Sequence, residues 1–282
     1  MLSPIPDIPA LMINTLLGNR ILVLADLHIG FELELASQGI RVPSQTKKML
    51  KVIKKLLTKF NPDKIILLGD IKHQIASISS TEWFDVPSFF EELLKDNIKI
   101  DIVPGNHDGN LEPLIPRSVF VYSARGIKLR DSKNRVIGLI HGHAWPSPDI
   151  LEAEILVMGH IHPVIELRDP MGFKIIEPVW VKAQVNLDKL LYQYLKYQRV
   201  KVSNDSNPIN IFQNAFDVKP NLKEVIIMPA FNPYLRGGSI NKMRISTPSS
   251  PIIESNSIDL ISAEIYALDG TFLGRLELLS QF

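Results

Sequence analysis

Five short apolar runs constrain this chain most, because each ends in aspartate, histidine or asparagine. Ile21–Ala25 runs into Asp26 and His28, and Ile65–Leu68 into Asp70 and His73. Ile100–Val103 leads to Asn106, His107 and Asp108, Val136–Ile140 to His141 and His143, and Ile155–Met158 to His160 and His162. A continuous β-prone run reads as a buried parallel strand. In open α/β sheets, ligands bind beyond the carboxyl ends of the strands. The pattern therefore predicts an α/β fold in which five strand ends carry Asp, His and Asn to one cleft. A lone Asp-x-His is commonly a turn, and a lone Gly-His a loop. Here all seven histidines lie in these motifs, which leaves none for a bland role elsewhere and points to a shared metal site.

The donor set also narrows the metal. The chain has no cysteine, so disulfides, thiolate nucleophiles and soft-ligand sites are excluded. His, Asp and Asn suit Mn²⁺, Fe²⁺, Zn²⁺, Co²⁺ or Ni²⁺. Three Asp, one Asn and seven His in the motifs exceed what one tetrahedral ion accepts, which argues for two ions. Two ions roughly 3.5–4 Å apart clamp the attacking and leaving oxygens of a phosphoryl transfer, and a water between them ionises near neutral pH. No nucleophilic serine or phosphate-cradling glycine loop is evident, so the expected nucleophile is a metal-bridging hydroxide.

At 282 residues the chain suits one large α/β domain or a domain with an appendage. Lysine plus arginine balance aspartate plus glutamate at 31 to 30, so no strong field selects nucleic acid or membrane. The Pro-rich start, Met1 to Pro9, has no basic leader, and no run approaches the ~18–20 apolar residues that span a bilayer. A cytoplasmic protein without membrane contact is the default expectation.

Between the motifs, Ser44 reads as the cap of a helix with Met49, Leu50, Ile53, Leu56, Leu57 and Phe60 along one face. Lysines 47, 48, 51, 54, 55 and 59 fall on the other, as a solvated face rather than a nucleic-acid stripe. Pro62 ends it before the strand Lys64–Gly69. A second helix, Thr81 to Asn97, is expected to pack Trp83, Phe84, Phe89, Phe90, Leu93 and Leu94 as core. The alternation implies βαβ units. Beyond the fifth motif, Val164–Arg168, Phe173–Ile176 and Val179–Val185 read as short antiparallel strands, turning at 169–172 and at Glu177-Pro178. Leu187–Tyr197 reads as a helix, Lys201–Asn221 as a polar surface insertion, and Lys223–Met228 as a strand. Ile258–Leu268 and Thr271–Leu278 form a hairpin around Asp269-Gly270. Asp149, Glu152 and Glu154 look like surface charge. One domain over 1–282 is expected, with its motif core at about 20–165 and the C-terminal strands and insertion at 166–282.

In their order, Asp-x-His, Gly-Asp-x-x-His, Gly-Asn-His-Asp, His-Gly-His and Gly-His-x-His resemble the calcineurin-like metallophosphoesterase superfamily, over roughly residues 20–165. Leu24–Glu32 and Met228–Gly238 further resemble its ICC-like or DNA-ligase-associated subgroup. The resemblance implies a four-layer α-β-β-α sandwich of two mixed sheets flanked by helices. It implies that Asp26, His28 and His162 bind one ion, that Asn106, His141 and His160 bind another, and that Asp70 bridges both. By the same resemblance His107 is the general acid, Asp108 orients its imidazole, and His73 contacts the phosphate in the transition state. His143 is left to a supporting or substrate role. Arg236 is an anion contact or a solvated turn residue. Purple-acid-phosphatase relatives carry a tyrosine ligand where this chain has His73. That disfavours ferric iron and makes Mn²⁺ the expected ion, with Fe²⁺, Zn²⁺, Ni²⁺, Co²⁺ and Mg²⁺ as alternatives.

The implied activity is a phosphodiesterase acting on nucleotides or nucleic-acid ends. The implied partners are that substrate, DNA-repair proteins and a second copy in a homodimer. Phosphomonoesterase or protein-phosphatase activity on the same site is the alternative. A non-catalytic metal-bound scaffold is the third reading, and the intact Asn106-His107-Asp108 triplet argues against it.

Overall fold

In the computed structural model, which describes residues 1–168, 171–202, 207–242 and 250–280, each apolar run is a strand. The first sheet is built from the first 121 residues. β1 (Leu2–Pro4), β2 (Ala10–Asn14) and β3 (Arg20–Ala25) pair antiparallel in sequence. β4 (Lys64–Leu68), β5 (Lys99–Val103) and β6 (Phe120–Val121) extend the sheet from β3 in parallel. Three helices intervene: α1 (Phe31–Ser37) and α2 (Thr46–Phe60) after β3, and α3 (Ser80–Leu94) after β4.

The second sheet runs β14-β13-β11-β12-β9-β8-β7, with β10 on β11. In chain order these are β7 (Ile127–Arg130), β8 (Val136–Ile140), β9 (Ile155–Met158), β10 (Val164–Arg168), β11 (Lys174–Val185), β12 (Glu224–Ile227), β13 (Ile258–Ala267) and β14 (Phe272–Arg275). β8, β9 and β12 are parallel, and the others join antiparallel. Helices α4 (Leu187–Tyr197) and α5 (Pro208–Phe216) lie between β11 and β12, with the short turns α6 (Pro251–Glu254) and α7 (Leu276–Leu279) later.

Alternation along the strands explains the layering. Leu22 and Leu24 of β3 and Ile65 and Leu67 of β4 face Met49, Ile53, Leu56, Phe89, Phe90 and Leu93 of α2 and α3. Their neighbours Val23, Ala25, Ile66 and Leu68 face Ile137, Leu139, Val157 and Trp180 of the other sheet. A third cluster joins the outer face of the second sheet to Leu190, Leu191, Tyr194 and Phe212 of α4 and α5. A strand buried on both sides loses water from every side chain, which is why these runs are apolar apart from Asp101, whose carboxylate pairs with Lys64. The result is the expected four-layer sandwich.

Several expectations are corrected. The helix starts at Thr46, with the Ser44 hydroxyl accepting the Thr46 N–H at 3.2 Å. Trp83 and Phe84 are not core; they are 49% and 76% exposed, because the buried face of α3 is Glu82, Val86, Phe89, Phe90 and Leu93. Glu177-Pro178 is not a turn. β11 runs straight through, pairing with β10 up to Pro178 and with β13 from Val179. Residues 208–216 of the expected polar insertion form α5, whose Phe212 is fully buried on Tyr194; positions 203–206 lie outside the described residues. The second arm of the late hairpin stops at Arg275 and coils into α7. Of the expected turn at 169–172, positions 169 and 170 lie outside the described residues.

Candidate metal centre

The motif residues sit where the strands end, on sharply turned backbone. Asp26, His28, Asp70, His160 and His162 all have φ between 41° and 71°. This left-handed region costs non-glycine residues energy and is held only where the surroundings enforce it. Beyond β3 and β4 the chain continues as a hydrogen-bonded pair: the His28 N–H donates to the Asp70 carbonyl at 2.8 Å and the Ile29 N–H to Ile71 at 2.8 Å. Gly69 and Gly105 make room beneath. A Cβ on Gly69 would collide with the His141 ring, and one on Gly105 with Asp70.

Two ligand sets converge. Asp26, His28, Asp70 and His162 present donor atoms within 4.8 Å of one another, and so do Asp70, His141 and His160. Asp70 belongs to both. Its Oδ2 lies 3.2 Å from His28 Nε2 and 3.2 Å from His141 Nε2. On the outer side, His162 Nε2 is 3.2 Å from Asp26 Oδ1. His141 donates its Nδ1–H to the Leu68 carbonyl at 2.8 Å, which turns Nε2 to the cluster. Such a backbone partner fixes the tautomer and orientation of a ligand histidine. A further grouping of His28, His73 and His107 lies alongside.

The residues fit cations. His28 Nε2, Asn106 Oδ1, His143 Nδ1, His160 Nε2 and His162 Nε2 are buried with no hydrogen-bond partner among the described residues. Buried polar atoms are normally paired, and three of these unpaired nitrogens, on His28, His160 and His162, belong to residues of the two ligand sets, where coordinating ions would satisfy them. The electrostatics agree. Burial pushes the Asp70 carboxyl up, but His141 and His28 outweigh it and hold it well below the usual carboxylate range. Asp26 is lowered too, its burial outweighed by His162 and His141. Burial pushes His141 down, yet Asp70 and Asp26 raise it to about 9. A proton there stands in for the positive charge that an ion would bring. Burial takes His28 to about 4 against the pull of Asp70. Burial, reinforced by the charge of His141, also takes His143 and His160 to about 4.

The remaining motif residues fall at the edge. His107 donates its Nδ1–H to the His73 carbonyl, leaving Nε2 3.9 Å from Asp70 Oδ2. Asp108 does not touch the His107 ring. Its carboxylate accepts the Ile71 and Gly105 N–H groups, each at 2.8 Å, so the orienting partner of His107 is a carbonyl. Burial and the charge of Asp70 raise Asp108 to about 6, against the Gly105 hydrogen bond. Both nitrogens of His73 are engaged, Nδ1 by His28 and Nε2 by Glu34. The His143 ring centroid lies 5.3 Å from that of His141. Arg236 is exposed, and its guanidinium donates to the Ile176 carbonyl at 3.1 Å instead of reaching the cluster. Asp149, Glu152 and Glu154 pair with Lys128 and Lys223 at the surface, as expected.

Three supporting residues escaped the motif reading. Glu82 is fully buried and accepts the His73, Gln74 and Ser79 N–H groups at 2.8, 2.7 and 2.6 Å. Its signal was the capping box Ser79-x-x-Glu82. Asn232 donates to the Leu27 carbonyl at 2.9 Å, and its N–H reaches the Asp26 carbonyl at 3.3 Å. Glu34 had no signal.

Residues 19–202 match the family model described as calcineurin-like phosphoesterase. The chain belongs to that family, and it is a hydrolase of phosphoester bonds. The family depends on a dinuclear metal centre, which these His/Asp clusters suit. Among solved structures, the nuclease MPE of Pseudomonas putida is similar at 18% identity over 95% of this chain and 98% of that one, with a TM-score of 0.49. The phosphoesterase Yfce of E. coli is similar at 16% identity over 53% of this chain and 73% of that one, with a TM-score of 0.34. A predicted phosphoesterase of Streptococcus pneumoniae TIGR4 shows 12% identity over 90% and 92%, with a TM-score of 0.32. No curated protein matches the chain. Among the described residues, no helix is long and apolar enough to cross a membrane.

Proposed function

We propose that this protein is a phosphodiesterase acting on nucleotides or nucleic-acid ends, with Mn²⁺ as its ion. The observation that carries the reading is Asp70, one buried carboxylate common to two ligand sets. In this reading Asp26, His28 and His162 hold one ion, Asn106, His141 and His160 hold the other, and Asp70 joins them. The two ions supply charge for a phosphate's oxygens and an activated water.

The chain's own groups do the rest. His107, its Nδ1–H held by the His73 carbonyl, would carry a second proton on Nε2 as the imidazolium and give that proton to the leaving oxygen. Asp108 and Glu82 hold the two loops that carry it. The preference for diesters is supported by the resemblance of Leu24–Glu32 and Met228–Gly238 to the ICC-like subgroup. These two segments are bonded together here: Phe231 N–H to the Ala25 carbonyl at 2.8 Å and Asn232 to Asp26 and Leu27.

The test is turnover of bis-p-nitrophenyl phosphate against p-nitrophenyl phosphate, each with Mn²⁺, Mg²⁺, Ni²⁺ and Zn²⁺. Preference for the diester with Mn²⁺ is expected. Preference for the monoester would make the enzyme a phosphomonoesterase.

A further inference from the structure

Glu34 stands outside all five motifs, on α1, immediately after the first. Its Oε2 lies 2.5 Å from His73 Nε2, and His73 Nδ1 lies 3.1 Å from His28 Nδ1. His28 Nε2 then faces Asp70 Oδ2 at 3.2 Å. The backbones of both histidines are already fixed: the His28 N–H donates to the Asp70 carbonyl and the His73 N–H to Glu82. Only the rings remain to be set, and Phe31 of α1 stands edge-on to the His73 ring at 5.1 Å.

With His73 neutral and Glu34 ionised, proton placement along this line has one consistent solution. A carboxylate only accepts, so His73 carries its proton on Nε2 and donates it to Glu34. His73 Nδ1 is then a lone pair, and it accepts the Nδ1–H of His28. His28 Nε2 is left bare, buried and without a hydrogen-bond partner, inside the Asp26, His28, Asp70 and His162 set. The opposite tautomer of His28 would put a proton where an ion must bind. It would also set two lone pairs against each other between the rings.

We propose that Glu34 is a positioning residue, which acts through His73 to hold His28 with its Nε2 lone pair on the metal side. The proposal rests on the dinuclear reading above, and it gives His73 the task of relaying orientation. Glu34 is well suited to an anchor that can be changed alone, since its side chain is 45% exposed on a seven-residue surface helix.

The experiment uses the full chain, labelled with ¹⁵N-histidine and freed of metal with EDTA. Ring nitrogen signals are assigned by single His→Gln substitutions. Wild type is expected to show His28 protonated at Nδ1 and His73 at Nε2. In Glu34→Ala both rings should lose that single tautomer, and Mn²⁺ affinity by calorimetry should fall ~10–100-fold, the usual cost of removing a partner behind a ligand. Glu34→Gln, whose amide oxygen still accepts the Nε2 proton, should keep the tautomers and bind Mn²⁺ within about threefold of wild type.

Three results would overturn the proposal: His28 protonated at Nε2 in wild type, unchanged tautomers and Mn²⁺ affinity in Glu34→Ala, or an ion seated among His28, His73 and His107. The wild-type tautomers decide the matter even where the alanine variant does not fold. Diester turnover by wild type tests the phosphodiesterase reading separately. Absent turnover beside the expected tautomers would sink that reading and leave Glu34 in place.

Discussion

Asp108 Oδ1 accepts the Ile71 N–H at 2.8 Å, so a carboxylate from the third motif holds the backbone one residue beyond the Asp70 of the second. Its other oxygen takes the Gly105 N–H, which closes the turn carrying Asn106 and His107. The side chain is therefore a clamp between two strand ends. Asp108→Ala leaves two backbone donors without their acceptor at a buried position. Each orphaned group costs about 1–3 kcal/mol, so a loss of about 2–4 kcal/mol in urea unfolding is expected, together with weakened metal retention. Stability within about 0.5 kcal/mol of wild type would show that the clamp is not needed.

Asp70→Asn tests the shared ligand. An amide has one oxygen and no charge to set against two cations. The variant is expected to lose one or both ions, measured by elemental analysis, and its turnover with them. Full occupancy with normal rates would remove Asp70 from the centre.

Gly69 tests how tightly the floor is built. Its φ is +73°, and an added Cβ would lie 2.7 Å from the Gly105 Cα and collide with the His141 ring. Gly69→Ala adds left-handed strain to overpacking, each costing about 1–3 kcal/mol. The expected outcome is a lower Tm and fewer bound ions. A variant with wild-type Tm and metal content would contradict the packing described here.

The metal-free protein should be most stable near pH 6.5. His28, His143 and His160 titrate near 4 when folded, against an ordinary 6.5. Below pH 6.5 the unfolded chain takes up protons that these rings refuse, so their contribution is present above 6.5 and lost as pH falls toward 4. His141 has the opposite sign. Raised to about 9, it stabilises fully below 6.5 and loses that contribution as pH rises through 9, by about 1.4 kcal/mol per pH unit. Asp108, raised to about 6, offsets part of the acid limb, since its contribution is present below 3.8 and lost through 6. Unfolding in EDTA across pH 4–9 should give a maximum with a steeper acid side. A profile that climbs from pH 6.5 to 9 would refute the assignment of His141.

The sheets were legible because a strand buried on both faces is apolar at nearly every position, and Val23 and Leu24 have different neighbours but the same need. The clustering of the candidate ligands was legible because His and Asp at strand tips have few other uses. What escaped depends on neighbours distant in sequence. Trp83 and Phe84 read as core because aromatic residues usually are, but the register of α3 is set by Glu82, whose carboxylate is drawn inward by the His73 loop. Pro178 read as a turn, yet it stands where β11 passes from β10 to β13. Asp108 sits beside His107 in sequence but points at backbone. Glu34 meets His73 across 39 residues of sequence, a pairing no local pattern announces.

His107 offers the sharpest chemical test. Its Nδ1 is committed to the His73 carbonyl and its Nε2 faces the cluster 3.9 Å from Asp70, so one nitrogen is free for the proposed proton transfer. Removing a general acid typically costs ~10²–10⁴ in rate, and the ions should stay bound. The size of the loss should depend on the leaving group. An alkoxide cannot depart unprotonated, while p-nitrophenolate needs little help. His107→Ala is therefore expected to lose far more activity on a dialkyl-type diester than on bis-p-nitrophenyl phosphate, with unchanged metal content. Equal losses on both substrates, accompanied by metal depletion, would make His107 a ligand and overturn its role as the acid.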